Sequence, residues 1–304
     1  MPKTSLLTLG SAVYDDLESP FGSRTRVLGG SGVYASFAAS FFTESRLISA
    51  VGRDWKPEHS GLLRSRGVNL DGLKIYENGD TACYSGTYCE NMNERVDHWY
   101  HGNVMNEAYV PEVPDSYRDS PYVFLASGSP TTASALLDKI AKPKLVFADT
   151  IKFYISTMRD ELTSLFKRVD GVIVNEEEAT LYSGERDSFK AAEKIMELGP
   201  RYVVIKRGEY GAMLLAASGE VYLVPAYPTR SVVDPTGAGD SFAGAMTGSL
   251  AASGDLSPES LKRALLYATV VASLNVEGFS LERFQFVTRK EIDERVAEFR
   301  KALV

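Results

Sequence analysis

Apolar positions along the chain keep two periodicities, and they alternate. Short, mostly apolar runs at 6–10, 46–51, 122–126, 145–149, 171–174 and 202–206 read as strands buried on both faces. Between them, 31–42, 57–66, 131–140, a segment starting at Glu176, and 260–276 carry helical spacing. Strand and helix taking turns predicts an α/β fold, a mostly parallel sheet flanked by helices. Residues 213–216 and 221–224 flank Ser218-Gly219 and read as a hairpin, and 289–302 as a charged amphipathic helix.

Two stretches break the alternation. Segments 12–27 and 73–109 are rich in Tyr, Thr and polar residues, with period-2 texture and no helical pattern. They predict a small β-sheet inserted at the carboxyl edge of the main sheet, where open α/β sheets bind ligands, so that the insert acts as a lid. The whole chain, 1–304, reads as one domain carrying that lid.

Composition narrows the class. The 304 residues are 44% hydrophobic and 24% charged, ordinary for a globular protein. A net charge of −7 argues against a nucleic-acid partner. No apolar run approaches membrane length and no leader is evident, so no membrane partner and a cytoplasmic location are expected. Cys83 and Cys89 lie six residues apart on one strand pattern. That is about 20 Å of extended chain, far beyond disulfide reach. Reduced cysteines are expected, and His59, His98 and His101 make no metal-ligand spacing with them.

The run Val232-Val233-Asp234-Pro235-Thr236-Gly237-Ala238-Gly239-Asp240-Ser241-Phe242 carries the strongest chemistry. Pro235 and the two glycines force a turn, and the small apolar residues after it read as a helix. The Gly237, Ala238 and Gly239 amides then stand at a helix N-terminus, which suits an anion. Asp240 in that place would repel a simple phosphate. It makes sense as a base that takes a proton from a hydroxyl while the amides hold charge developing on a phosphoryl group. The plainer alternative is a Gly-rich turn with an Asp complementing the helix dipole. No Gly-x4-Gly-Lys-Ser/Thr loop occurs.

This string closely resembles the C-terminal signature of the PfkB family, the ribokinase-like sugar and nucleoside kinases. The resemblance implies that Asp240 is the catalytic base and that the Gly237, Ala238 and Gly239 amides form the anion hole. It spans the chain in order. Gly29-Gly30-Ser31-Gly32-Val33-Tyr34 is similar to the family's N-terminal signature, in which the glycines admit the sugar to the backbone. That signature usually has Asn where this chain has Tyr34, so an aromatic ring that stacks or closes the pocket replaces an amide. Gly30-x-Gly32-x-x-Ala35 also matches a dinucleotide loop, but polar 22–26 precedes it where a buried strand is required. Asp15 stands where the family places a carboxylate bridging two vicinal hydroxyls, with Asp16 on the other face; the alternative is a turn-capping pair.

Further positions follow. Asn175-Glu176-Glu177-Glu178 resembles the family's Asn-x-x-Glu motif, implying that Asn175 and Glu178 organise Mg2+ and the phosphates through water. Lys206, Gly208 and Gly211 resemble the loop beside the ATP phosphates and ribose, though Lys206 also fits a solvated loop cation. Asn275 falls where the family lines its adenine pocket. Asp234 and Thr236 match positions that bind a monovalent cation, K+, in some members. Lys152 fits a phosphate or carboxylate ligand as well as an exposed loop lysine. The resemblance implies ATP, Mg2+ and a homodimer formed through the lid. The acceptor is a ribonucleoside, favoured by Tyr34 and the lid aromatics Tyr84, Tyr88, Trp99 and Tyr100, or a free sugar or polyol. A nucleotide-binding regulator without catalysis is the reading from another class, and the intact Asp240 counts against it.

Overall fold

The computed structural model describes residues 4–102, 104 and 109–303. The chain starts with β1 (Ser5–Leu9), then β2 (Val13–Ser19), β3 (Gly22–Gly29), α1 (Ser31–Ala39) and β4 (Glu44–Gly52). Next come α2 (Pro57–Ser65), β5 (Val68–Tyr76), β6 (Cys83–Tyr88) and β7 (Arg95–His101). β8 (Tyr122–Leu125), α3 (Pro130–Leu137), β9 (Leu145–Ala148), α4 (Lys152–Thr157) and α5 (Arg159–Phe166) follow. Then run β10 (Gly171–Asn175), α6 (Glu176–Ser183), α7 (Ser188–Met196), β11 (Tyr202–Lys206), β12 (Ala212–Ala216) and β13 (Val221–Val224). The chain closes with α8 (Ala238–Ser253), α9 (Pro258–Asn275) and α10 (Arg289–Ala302).

The main sheet has the order β13-β12-β11-β10-β9-β8-β1-β4-β5. From β11 to β5 every pairing is parallel, and β12 and β13 complete the sheet as the expected antiparallel hairpin. Both faces are covered, as the mostly apolar strands require. Leu6, Phe124, Phe147, Ile173 and Val204 face one core with α1, α8, α9 and α10, while Leu7, Val123, Val146, Val172 and Val203 face a second with α3, α5, α6 and α7. The α/β class read from the alternation is the fold observed.

The polar, period-2 segments form a second sheet of order β3-β2-β6-β7. One boundary differs from the sequence reading. Residues 73–76 belong to β5, where Leu73–Tyr76 pair in parallel with Ser49–Gly52 at the main-sheet edge. Only one face of an edge strand is buried, so its alternating texture resembles the lid's. Of the expected lid segment 73–109, positions 103 and 105–108 lie outside the described residues, as does the side chain of Trp99. Cys83 and Cys89 are free thiols. Among the described residues, no helix is long and apolar enough to cross a membrane.

Candidate active site

The strand order reverses between β8 and β1, and the crevice outside the carboxyl ends of such strands is where this architecture binds ligands. Asp149 follows β9, Asn175 ends β10, and Lys206 ends β11. Asp15 lies in β2, which leaves β1 for the small sheet. The turn before α8 joins them because α8 packs along α1. Gly237 caps α8 with φ of 76°, a left-handed conformation that glycine adopts without strain.

At this turn Ala238 N–H donates to Pro235 O (3.1 Å), and Ser241 N–H to Gly237 O (2.8 Å). No backbone acceptor among the described residues meets the amides of Gly237 and Gly239. Of the three amides expected to form an anion hole, that of Ala238 is paired within the turn itself. Asp240 stands half-buried in the first turn of α8. Burial, reinforced by Asp149, pushes its carboxyl up to about 6, against the pull of Lys206 and Arg95.

Lys206 is no solvated loop cation. It is largely buried, and its Nζ donates to Asp149 Oδ2 at 2.7 Å. Asp149 in turn accepts Thr150 N–H at 2.7 Å. Burial works against the lysine's charge, but Asp149, Glu178 and Asp240 outweigh it and its pKa rises. A Cβ on Gly239 would stand 3.2 Å from Lys206 Nζ, so this cation lies directly beside the amide turn. Asn175 and Glu178 form a reciprocal cap on α6. Asn175 Oδ1 accepts Glu178 N–H, and Glu178 Oε2 accepts Asn175 N–H, both at 2.8 Å. Glu178 Oε1 has no hydrogen-bond partner among the described residues. Burial and Asp149 push Glu178 up to about 7 despite Lys206.

Asp15 is 2% exposed, and a Cβ on Gly29 would fall 1.8 Å from its Oδ2. Only glycine fits there. Burial and the nearby Asp234 push Asp15 up to about 8. Asp16 points away, as expected, accepting Arg26 N–H at 2.7 Å. Gly30 caps α1, and Tyr34 lies inside the core on the same helix. Asp234 Oδ1 accepts Thr236 N–H at 2.9 Å, while Asp234 Oδ2 and Thr236 Oγ1 are buried without partners.

Other expectations fare differently. Asn275, expected at the adenine pocket, has both ends of its amide engaged within the protein. Its Oδ1 accepts Ser241 Oγ–H (3.2 Å) and its Nδ2 donates to Thr236 O (2.8 Å), so it braces the amide turn. Gly211 lets β13 pass closely, since a Cβ would meet Val224 O at 2.0 Å, whereas Gly208 faces open space. Lys152 is half-exposed and paired with Glu177 at 2.5 Å, on the rim.

The lid contributes groups that local sequence does not announce. Arg95 in β7 donates to Asp97 at 2.7 Å and lies over the Tyr84 ring, and its charge opposes those of Asp15, Asp234 and Asp240. Tyr88 is buried against Thr236. At the β6–β7 tip, Asn93 Nδ2 donates to Glu209 Oε1 (3.3 Å) in the loop after β11. Among the described residues no group of three His, Cys, Asp or Glu could hold a metal alone. The arrangement brings together the Asp240 carboxyl, the unpaired Gly237 and Gly239 amides and the buried Lys206 cation, with the buried Asp15 carboxyl close enough to feel the Asp240 charge.

The family described as pfkB family carbohydrate kinase matches residues 5–283. The cytidine kinase of Thermococcus kodakarensis is 30% identical over 244 residues, 79% of this chain and 86% of that protein. The nucleoside kinase of Thermoplasma acidophilum is 25% identical over 277 residues, 90% and 85%. Among solved structures, the ribokinase of Cryptococcus neoformans var. grubii serotype A in complex with ADP superposes with a TM-score of 0.78 at 22% identity, covering 97% of this chain and 100% of that one.

Proposed function

The chain belongs to the pfkB family of carbohydrate kinases, and from that premise we propose that it transfers the γ-phosphoryl group of ATP to the primary hydroxyl of a ribonucleoside. The observation that carries this reading is Asp240, held half-buried beside the free Gly237 and Gly239 amides and the buried Lys206. A base must sit within reach of the proton it takes, and the charge on the moving phosphoryl group needs donors already in place.

Asp15 accepts hydrogen bonds from the two vicinal ribose hydroxyls, which leaves the primary hydroxyl free to reach Asp240. Asp240 takes its proton, and the Gly237 and Gly239 amides hold the transferring group. Lys206 is the cation nearest the phosphates. Glu178 fits Mg2+, because one of its oxygens is free while Asn175 fixes the other, and Mg2+ keeps most of its waters. Bound there, Mg2+ would neutralise phosphate charge. The unpaired Asp234 Oδ2 and Thr236 Oγ1 fit a monovalent cation such as K+. The exposed lid side chains Val96 and Tyr100, on an edge strand, support a homodimer through the lid. The likeness to a cytidine kinase supports a ribonucleoside over a free sugar. A turnover assay with ATP and a panel of cytidine, adenosine, guanosine, ribose, fructose and inositol tests this. Turnover of a sugar with nucleosides inert would reject the nucleoside.

A further inference from the structure

We propose that the Tyr34 hydroxyl is the acceptor-specificity group of this enzyme, donating a hydrogen bond to a sugar hydroxyl that Asp15 also holds. The proposal deepens the kinase reading and rests on it. The sequence leaves Tyr34 open between stacking on a ligand and closing the pocket. The structure removes stacking. The residue is 1% exposed, and a Cβ on Gly237 would fall 2.4 Å from its ring. The ring lies against the α-carbon of the amide turn and offers no face to a base.

What remains is the phenol oxygen, buried without a hydrogen-bond partner among the described residues. Burial and the carboxyls of Asp15, Asp234 and Asp240 hold its proton on, so it is a neutral donor at any working pH. An unpaired buried hydroxyl destabilises a folded chain, and packing here is otherwise tight. Its immediate company shares the condition. Asp234 Oδ2 and Thr236 Oγ1 are unpaired.

The chemistry is complementary to one kind of ligand. A hydroxyl has one proton to give and lone pairs to fill. A sugar hydroxyl that donates to Asp15 still needs a donor for its own oxygen. Tyr34 supplies it from the α1 side, while an oxygen of the Asp15 carboxyl accepts the hydroxyl's own hydrogen bond from the β2 side. An acceptor lacking that hydroxyl leaves both protein groups unpaired, which is how a site built to hydrogen-bond a hydroxyl rejects a deoxy analogue. The ring's contact with Gly237 places this recognition one van der Waals layer from the turn that serves phosphoryl transfer.

Tyr34→Phe keeps the ring and removes only the hydroxyl. The experiment uses the best acceptor from the panel together with its 2′-deoxy and 3′-deoxy forms, or the deoxy forms of a sugar if a sugar is the acceptor. Expected is an acceptor KM raised roughly tenfold, with the KM for ATP unchanged. The penalty that one deoxy form suffers with the wild type should largely vanish in the variant. Without ligand, Tyr34→Phe should melt no lower than wild type, while the rise in Tm caused by acceptor shrinks. Equal discrimination against both deoxy forms in the two enzymes overturns the proposal. So does an unchanged acceptor KM, or a variant that unfolds without ligand. Wild-type turnover across the panel judges the kinase reading separately.

Discussion

Gly244 of α8 meets the carbonyl of Ala35 in α1 so closely that a Cβ on it would stand 2.1 Å from that oxygen. Gly248 repeats the approach one turn later, 2.9 Å from the α-carbon of Ala39. These contacts set the distance between the helix carrying Tyr34 and the helix carrying Asp240. Gly244→Ala should lower stability by about 1–3 kcal/mol, the usual cost of overpacking, and reduce kcat as well. Gly61→Ala, with open space around it, should do neither. Urea melts and steady-state rates of the pair check this; equal behaviour of the two variants would refute it.

Asp240→Asn keeps the shape of the turn and removes the base. Turnover should fall about 10²-fold or more while ATP still binds, the usual scale for losing a general base. Nucleotide titration alongside turnover separates the two effects, and a rate within about threefold of wild type would end the role assigned to Asp240.

Two carboxyls give opposite pH signatures. Asp240 must be ionised to accept a proton, so kcat/KM should fall as pH drops through about 6. Asp15 is raised from 3.8 to about 8, so the folded chain binds its proton more tightly than the unfolded one. Its contribution to stability is therefore present in full below about pH 4 and is lost as pH rises to 8. Asp240 and Glu178 add the same sign over narrower windows. Ligand-free Asp15→Asn should lose less stability between pH 5 and 8.5 than wild type, about the range Asp15 spans. Parallel pH slopes for the two proteins would disprove this account.

Sequence made much of this legible, for physical reasons. Short, mostly apolar runs alternating with helical spacing fit strands buried on both faces, which pointed to the sheet. The Gly-rich strings before α1 and α8 drew attention to Gly29 and Asp240, and the place just past the first strand to Asp15, in each case through resemblance to the family's signatures. Arg95 could not, because a charged residue on an exposed strand has the same local pattern whether it meets solvent or a distant cluster of acids. Asn275 and the Ala238 amide were legible as polar groups, but their partners, Ser241, Thr236 and Pro235, are settled only by packing. For Tyr34 the sequence left stacking and pocket closure both open, and its burial against Gly237 is settled only by packing.

Lys206→Met should leave Asp149 buried without its counter-charge, at a cost of about 3–5 kcal/mol. Adding Asp149→Asn should recover part of the stability but not the affinity for ATP. Thermal melts and the KM for ATP in the single and double variants decide this; no recovery in the double variant would mean the pair is not the source of the loss.

The homodimer reading is checked by light scattering at micromolar concentration. A mass of two chains is expected, dropping to one when Val96 and Tyr100 are both changed to Lys, since charge on an open edge blocks pairing. A fully active wild-type monomer would dismiss it.

The hydrogen bond from Asn93 to Glu209 ties the tip of the lid to the loop on the far side of the crevice. An exposed hydrogen bond of this kind adds little net stability, so the lid tip can part from that loop without disturbing either sheet.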